Sequence, residues 1–265
     1  MIIIAERINA SRKLVAEAIA GENAAFIQIE AKAQAAAGAD YIDVNAGTFV
    51  GEEAVRLKWV VEKVQAVVDV PLCLDSPDPE VIEEVLPIVK ASPVMINSIS
   101  LEPGRLKSLL PLVAENNAKV IGLCQSEDKM AETGEEKLKF AGRLVEEASR
   151  AGVPLDNLFI DPLVYPVSTN GMSAVETINA IEKIMTEFPG VHTTCGLTNV
   201  SYGLPVRKLI NRTFLIMAVS RGLDSAILDP TDTQLYASLK ASLVLAGKDD
   251  FCMNYVSDFR AGKFE

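Results

Sequence analysis

Acidic side chains follow short apolar segments in this chain. In the stretch PLCLDSPDPEV, residues 71–81, an apolar run at 72–74 ends on the carboxylate of Asp75. Asp78 and Pro79 then indicate the start of a helix, because an aspartate caps the first turn and a proline loses no hydrogen bond at the first helical position. Asp75 is therefore predicted at the carboxyl end of a buried strand.

The same arrangement recurs along the whole chain. Eight short segments rich in Ile, Val and Leu are predicted as strands, at residues 2–9, 39–46, 70–76, 93–98, 118–125, 158–164, 192–200 and 224–230. Seven of them close with acidic or amide residues, which are Glu6 and Asn9, Asp43 and Asn45, Asp75, Asn97, Asp161, Asn199 and Asp229. Asp and Asn are common turn formers, which explains any single position, but a series of seven is harder to explain by turns.

Amphipathic helical patterns separate the predicted strands. In residues 51–68 the apolar positions step by three and four, as they do on one buried helix face, and residues 134–152 repeat this spacing. Apolar strands alternating with such helices predict an α/β fold with a parallel sheet, and eight units of about 33 residues suit a closed (β/α)8 TIM barrel. We expect residues 1–265 to form one barrel domain. An open doubly wound sheet is the alternative, although no G-x-G-x-x-G follows the first strand.

Composition narrows the classes of partner. The chain has 265 residues, 49% of them hydrophobic, and a formal net charge of −11. This charge repels phosphate backbones, so we expect no binding to nucleic acid or to an anionic membrane. No apolar run approaches the roughly 20 residues of a membrane helix, and the cysteines have no short repeated spacing. We expect a cytoplasmic protein that acts on small molecules or protein partners.

The residue types at the predicted strand ends limit the chemistry. In a barrel these ends meet at one mouth, where active sites are built. We expect no lysine at the mouth end of a strand, since Lys119 begins strand five, and His192 begins strand seven at the opposite end. Cys73 and Asp75 share a strand face and could form a mixed metal site, but buried free cysteine is commoner and we predict no bound metal. Carboxylates and amides alone indicate a site for a polar, nitrogen-rich heterocycle.

Motifs in order along the whole chain strengthen this interpretation. They are ERINASRK (6–13), DVNAG (43–47), LCLDS (72–76), MINS (95–98), FIDPL (159–163), GLTNVSYGLPVR (196–207) and INRTFL (210–215). In these motifs the chain resembles the pterin-binding methyltransferase family. That family includes the methyltetrahydrofolate:corrinoid/iron-sulfur protein methyltransferase of acetogens and the folate domain of cobalamin-dependent methionine synthase. The resemblance implies a dihydropteroate synthase-like barrel that exchanges the N5 methyl group of methyltetrahydrofolate with the cobalt of a corrinoid on a partner protein.

The resemblance also implies roles for individual residues. Asp75, Asn97 and Asp161 match positions that hold the pterin ring, and Asn199 matches the asparagine near N5. We expect Asn199 and Asp161 to be catalytic, with Asn199 stabilising charge at N5 and Asp161 ordering a water that delivers the proton. The full set of predicted pterin-binding residues is Asn9, Asn45, Asp75, Asn97, Asp161, Gly196, Thr198, Asn199 and Arg207.

The resemblance implies a homodimer that docks with a separate corrinoid protein, since the chain has no D-x-H-x-x-G motif of base-off corrinoid modules. Two alternatives stay open. One is a dihydropteroate synthase-like enzyme, although the strand-two motif of such enzymes is of the Gly-Gly-Glu-Ser type, whereas this chain reads DVNAGTFV. The other is a pterin-binding or corrinoid-docking protein without turnover.

Overall fold

The computed structural model describes residues 1–264. Its strands are β1 Ile2–Asn9, β2 Tyr41–Asn45, β3 Leu72–Asp75, β4 Met95–Ile99, β5 Lys119–Leu123, β6 Leu158–Asp161, β7 His192–Thr193 and β8 Ser225–Leu228. Its helices are α1 Lys13–Ala20, α2 Ala24–Ala36, α3 Glu53–Gln65, α4 Pro79–Val85, α5 Pro103–Glu115, α6 Gly134–Arg150, α7 Ser173–Glu187, α8 Arg207–Ser220, α9 Thr233–Leu245 and α10 Met253–Arg260. Each of the eight predicted strands is present, mostly shorter than predicted.

All the strand pairs in this sheet are parallel and the sheet closes on itself. The strand order is β7-β6-β5-β4-β3-β2-β1-β8. Between the two ends of this order, Gly196 forms a parallel bridge with Ile227, whose N–H donates to the carbonyl of Cys195 over 2.9 Å. These contacts confirm the (β/α)8 barrel and exclude the open doubly wound sheet.

The interior face of the barrel changes from apolar to polar along the strands. A buried cluster of strand residues fills the middle, with Ile4, Tyr41, Cys73, Met95, Ile121 and Phe159 as its core. Because strand side chains alternate between faces, the residue two positions later on each strand points the same way. Those residues are Glu6, Asp43, Asp75, Asn97, Leu123 and Asp161. The barrel thus has an apolar floor beneath a polar mouth.

The outer faces of the strands pack against the helices as predicted, with one difference in α6. In α3 the predicted face is buried, at Leu57, Val61 and Val64 among others. In α6 the buried residues are Gly134, Lys137, Ala141, Leu144 and Ala148. Leu138 and Val145, which the spacing places on the buried face, are only partly buried. The face is therefore rotated by about one residue and includes a lysine.

Strand seven departs most from the sequence prediction. The ladder to β6 extends only over His192 and Thr193, and residues Leu197–Ser201 form a 3-10 helix. The prediction that Asn199 closes a strand is therefore wrong. The sequence LTNVS is rich in residues whose side chains compete with the backbone for hydrogen bonds, which favours a tight turn over a strand.

His192 lies at the amino end of the barrel, as predicted. Its Nδ1 is 2.6 Å from a carboxylate oxygen of Asp224, its Nε2 is 3.2 Å from Asp156, and its ring stacks on Phe159 with centroids 4.6 Å apart. These contacts join the starts of β6, β7 and β8 at the end opposite the mouth. The hydrogen bond to Asp224 raises the pKa of His192 above its ordinary value.

This pKa predicts how stability depends on pH. Because the folded pKa of His192 is raised, its contribution to stability is complete below the unfolded value near pH 6.5 and is lost as pH rises through the folded pKa. The free energy of unfolding of the natural protein should therefore fall more steeply above about pH 6.5 than that of His192→Gln. Urea unfolding over a pH series measures both slopes. Identical slopes would contradict the ion pair.

Candidate active site

Four side chains from β2, β3 and β4 form the first group at the mouth. The amide of Asn45 donates to a carboxylate oxygen of Asp75 over 3.0 Å, and its own oxygen accepts from the N–H of Gly47 over 3.0 Å. The amide of Asn97 donates to Asp43 over 3.3 Å. The structure therefore brings three of the predicted binding residues together, each with its polar head directed into the mouth.

The two predicted catalytic residues belong to a second group. Asp161 is 6% exposed at the end of β6, and its Oδ1 accepts from the N–H of Leu163 over 2.7 Å. The backbone N–H of Gly196 also acts on Asp161, whose pKa it lowers. Asn199 is exposed, and a Cβ added at Gly196 would lie 3.0 Å from its Nδ2. Gly196 thus contacts both residues, and the absence of a side chain there leaves room for the amide of Asn199.

Thr198 and Arg207 are joined to this group by hydrogen bonds from the side chain of Arg207. The guanidinium of Arg207 donates to the carbonyl of Thr198 over 2.8 Å and to the hydroxyl of Ser201 over 3.1 Å. It also lies over the ring of Tyr202, 5.7 Å from the centroid. Arg207 therefore fixes the 3-10 helix that carries Asn199, and both residues are exposed.

Asn9 lies at the rim, where β1 ends. It is opposite Asn45 in the β1–β2 ladder, and its side-chain oxygen accepts from the N–H of Ser11 over 2.9 Å. Asp229, which follows β8, is already engaged by the guanidinium of Arg7 at 2.9 Å. Asn9 is thus a partly buried residue at the end of β1, and the carboxylate of Asp229 is paired with Arg7.

Glu6 is a mouth residue that the sequence predicts at the end of strand one, but it is not in the predicted binding set. It follows Ile4 on the inward face of β1. Burial, followed by the charge of Asp229, raises its pKa to about 7, while Arg12 and Arg207 act in the opposite direction. A group with this pKa can both give and accept a proton near neutral pH.

The other mouth carboxyl groups are also shifted toward their neutral forms. Burial raises the pKa of Asp75 to about 6 and that of Asp161 to about 6, although Asn45 and Leu163 respectively donate hydrogen bonds that oppose the shift. Burial and the nearby Asp75 also raise the pKa of Asp43. Clusters of such groups are typical of functional sites because ionising them without a ligand is costly.

Two cations beside the mouth are bound by main-chain carbonyls, and sequence reasoning missed both. Arg105 of α5 donates to the carbonyls of Ser76 and Pro77 after β3 and of Ser98 within β4, which joins the loop after β3 to the end of β4. Lys137 of α6 does the same for the loops after β5 and β6. Lys137 belongs to α6, so it does not contradict the expectation that no strand ends in a lysine at the mouth. A lysine four residues before Ala141, on the buried stripe of α6, was the available signal.

A cavity of about 270 Å³ opens beside the first group, and its lining includes Asp75, Asn97, Arg105, Leu123 and Gln125. A groove of about 550 Å³ lies outside the barrel between α5 and α6 and contains none of the predicted site residues. Cys73 is fully buried beneath Asp75, and residues 1–264 contain no group of three or more His, Cys, Asp or Glu side chains placed to hold a metal ion.

Comparisons with known proteins agree with the geometry of the mouth. The family model described as pterin binding enzyme matches residues 5–229, which include every predicted binding residue. The chain belongs to the pterin binding enzyme family. This match, together with the barrel, confirms the resemblance to pterin-binding proteins.

Members of this family differ in how closely they resemble the chain. The methylcorrinoid:tetrahydrofolate methyltransferase of Eubacterium limosum is 39% identical over 265 residues, covering 99% of this chain and 97% of that protein. The methionine synthase of Mycobacterium leprae is 33% identical over 86% of this chain and 20% of its own length.

Solved structures of dihydropteroate synthases share the fold at lower identity. The enzyme from Clostridium difficile has a TM-score of 0.72 at 19% identity, covering 92% of this chain and 96% of its own. The enzyme from Xanthomonas albilineans has a TM-score of 0.68 at 20% identity, covering 93% and 92%. Among residues 1–264, no helix has both the length and the apolar composition needed to cross a membrane.

Removing the charge of Glu6 should stabilise this pterin binding enzyme. Because its folded pKa of about 7 exceeds its ordinary value of 4.5, Glu6 destabilises the fold progressively as pH rises from about 4.5 to about 7, and fully above that. We expect Glu6→Gln to raise the free energy of unfolding at about pH 8 by on the order of 1–3 kcal/mol, and by less at about pH 5. Chemical denaturation measures this difference. The exposed Glu17→Gln is the control, and a Glu6→Gln variant no more stable than the control would contradict the shift.

Proposed function

We propose that this protein is a methyltransferase that exchanges a methyl group between N5 of tetrahydrofolate and the cobalt of a corrinoid on a partner protein. The full-length identity to a methylcorrinoid:tetrahydrofolate methyltransferase carries this proposal. The carboxyl and amide groups of the mouth support it, because they suit the edge of a pterin ring. The dihydropteroate synthases are under 25% identical and support the barrel fold only.

In this proposal the pterin ring binds among Asp75, Asn97 and Asp161. The 2-amino group and N3–H of a pterin are neighbouring donors, which one carboxylate accepts side by side. Asp75 and Asp161 provide buried carboxylates, and the amide of Asn97 serves a ring acceptor. Asn9, Asn45 and Gly196 complete the wall around the ring. The raised pKa values of both aspartates are then an adaptation to a ligand that supplies donors.

Methyl transfer also requires a change of charge at N5, because a tertiary amine is a poor leaving group until it gains a proton or a strong hydrogen bond. The exposed amide of Asn199 is free to contact N5, and Arg207 holds its turn in place through Thr198. Glu6 and Asp161 have pKa values of about 7 and 6, which suit the exchange of that proton through water. The partner's corrinoid supplies the cobalt that accepts or provides the methyl group.

A separate corrinoid protein then has to reach the mouth. Exposed apolar side chains lie in the segments that follow strands at this end, among them Val50, Met172, Tyr202 and Val206. Such a surface suits a transient partner of modest contact area. We also propose that residues 1–265 form one domain, that the protein is a homodimer, and that it works in the cytoplasm.

Rapid-mixing absorbance spectroscopy tests this function. Cob(I)alamin and methyltetrahydrofolate are mixed with and without the protein, and the loss of the cob(I)alamin spectrum is followed. We expect a protein-dependent acceleration of this loss. Binding of methyltetrahydrofolate without acceleration would favour the docking protein instead, and release of pyrophosphate from a pterin substrate would favour a dihydropteroate synthase.

Asn199→Ala should slow methyl transfer more than it weakens binding. The amide stabilises the charge that develops at N5, so its loss acts mainly on the transition state. We expect a rate at least ~10-fold lower, equivalent to roughly 1.4 kcal/mol, with a smaller loss of pterin affinity. Single-turnover rates and titration calorimetry measure the two effects. A variant with nearly natural turnover would refute this role.

Asp75→Ala and Asp161→Ala should mainly weaken binding. Each leaves ring donors unpaired in a confined site, which costs about 1–3 kcal/mol, or roughly a 5- to 150-fold loss of affinity for methyltetrahydrofolate. Titration calorimetry measures this loss, with Asp69→Ala outside the mouth as the control. Unchanged affinity in both variants would contradict the proposed orientation of the pterin.

A further inference from the structure

Lys137 is a fully buried lysine whose ammonium contacts no carboxylate. Its side chain has no solvent exposure. Its Nζ donates to the carbonyls of Ala131, Pro162 and Leu163 over 3.1, 2.7 and 2.6 Å. An ammonium has three donors, so these carbonyls satisfy all of them and favour the charged form even though burial lowers the pKa of Lys137. The ring of Tyr165 covers it, with the centroid 5.0 Å from Nζ.

The carbonyls that Lys137 binds belong to two loops of the mouth. Ala131 lies in the loop after β5, and Pro162 and Leu163 follow β6 directly. Leu163 has a φ of +62°, a left-handed conformation that is unfavourable for a residue with a branched side chain. Its carbonyl accepts from Lys137 and also from the hydroxyl of Thr177 over 3.1 Å. These two donors stabilise the peptide in this orientation.

The same turn fixes Asp161. With the carbonyl of Leu163 held toward Lys137, its N–H donates to the Oδ1 of Asp161 over 2.7 Å. We propose that Lys137 is a positioning residue for Asp161, which holds the turn at Leu163 and supplies the positive charge that keeps Asp161 ionised for the ligand. This inference rests on the proposed binding of a pterin by Asp161.

The charges around Lys137 and Asp161 support the proposal that Lys137 favours the ionised form of Asp161. The positive charge of Lys137 lowers the pKa of Asp161, against the larger effect of burial. The other titratable groups near the pair are Tyr165, Cys124, Cys195, Glu132 and Glu176. Burial raises the pKa of Tyr165 to about 12, so its phenol stays neutral. Burial raises the pKa of both thiols, which therefore stay neutral, and the two glutamates act on Lys137. Lys137 is thus the cation that opposes protonation of Asp161.

Variants of Lys137 test this role through the pH dependence of tetrahydrofolate binding. Lys137→Gln keeps two donors for the carbonyls but removes the charge, so protonation of Asp161 should extend to higher pH. We expect the pH midpoint of binding to rise by about one unit, which lowers affinity about twofold at about pH 7 and about 10-fold at about pH 5. Lys137→Arg keeps the positive charge, so its pH midpoint should lie closer to that of the natural protein than to that of Lys137→Gln. Lys139→Gln makes the same charge change at an exposed position of α6 and should leave the midpoint unchanged.

A double-mutant cycle with Asp161→Asn separates positioning from general damage. If Lys137 acts through Asp161, Lys137→Gln should weaken binding far less in the Asp161→Asn background than alone. Losses that add fully, or an unchanged pH midpoint, would overturn the inference. Thr177→Val, which removes the other donor to Leu163, is measured in parallel in case Lys137→Gln does not fold. It should weaken binding in the natural background but not with Asp161→Asn, and equal losses in both would also overturn the inference.

Tetrahydrofolate binding by the natural protein distinguishes failure of this inference from failure of the proposed function. If it fails to bind tetrahydrofolate at any pH, the proposed function fails. If it binds and Lys137→Gln keeps the natural pH profile, only the role of Lys137 fails.

Discussion

The structure depends on the burial of several carboxyl groups at one end of a parallel barrel. Glu6, Asp43, Asp75 and Asp161 all follow apolar residues on the inward faces of their strands, and burial raises the pKa of each. The closed sheet allows no other direction for these side chains, because turning them outward would also turn the apolar floor toward the helices. The protein therefore maintains a polar mouth that is more stable with donors from a ligand than without them.

Backbone groups maintain the geometry of this mouth. Arg105 and Lys137 are cations that bind main-chain carbonyls instead of pairing directly with the mouth carboxylates. Arg105 joins the loop after β3 to the end of β4, and Lys137 joins the loops after β5 and β6. A direct salt bridge would neutralise the carboxylates and compete with a ligand for their lone pairs. By binding carbonyls, the two cations orient the backbone at the mouth and leave Asp75 and Asp161 able to accept hydrogen bonds from the pterin that we propose binds there.

Much of the fold was predictable because the apolar strands and helix spacings are local patterns that the barrel does not override. The ring of acidic and amide residues was predictable for the same reason, since parallel strands put their carboxyl ends together. The 3-10 helix that carries Asn199 was not, because the Thr, Asn and Ser of LTNVS favour a turn but do not show at which residue the ladder ends. The role of Lys137 was also hidden, since a lysine among apolar helix positions is ordinarily solvent-exposed and its carbonyl partners come from distant loops.

Proton release on binding tests the central claim most directly. At about pH 6, Asp75 and Asp161 are partly protonated in the free protein. A pterin that donates hydrogen bonds to them favours their ionised forms, so binding should release protons. Calorimetry of an oxidised pterin, whose ring does not change protonation near this pH, in buffers of different ionisation enthalpy measures that release. The account predicts a net release that disappears in an Asp75→Asn, Asp161→Asn double variant. Binding without proton release in the natural protein would contradict it.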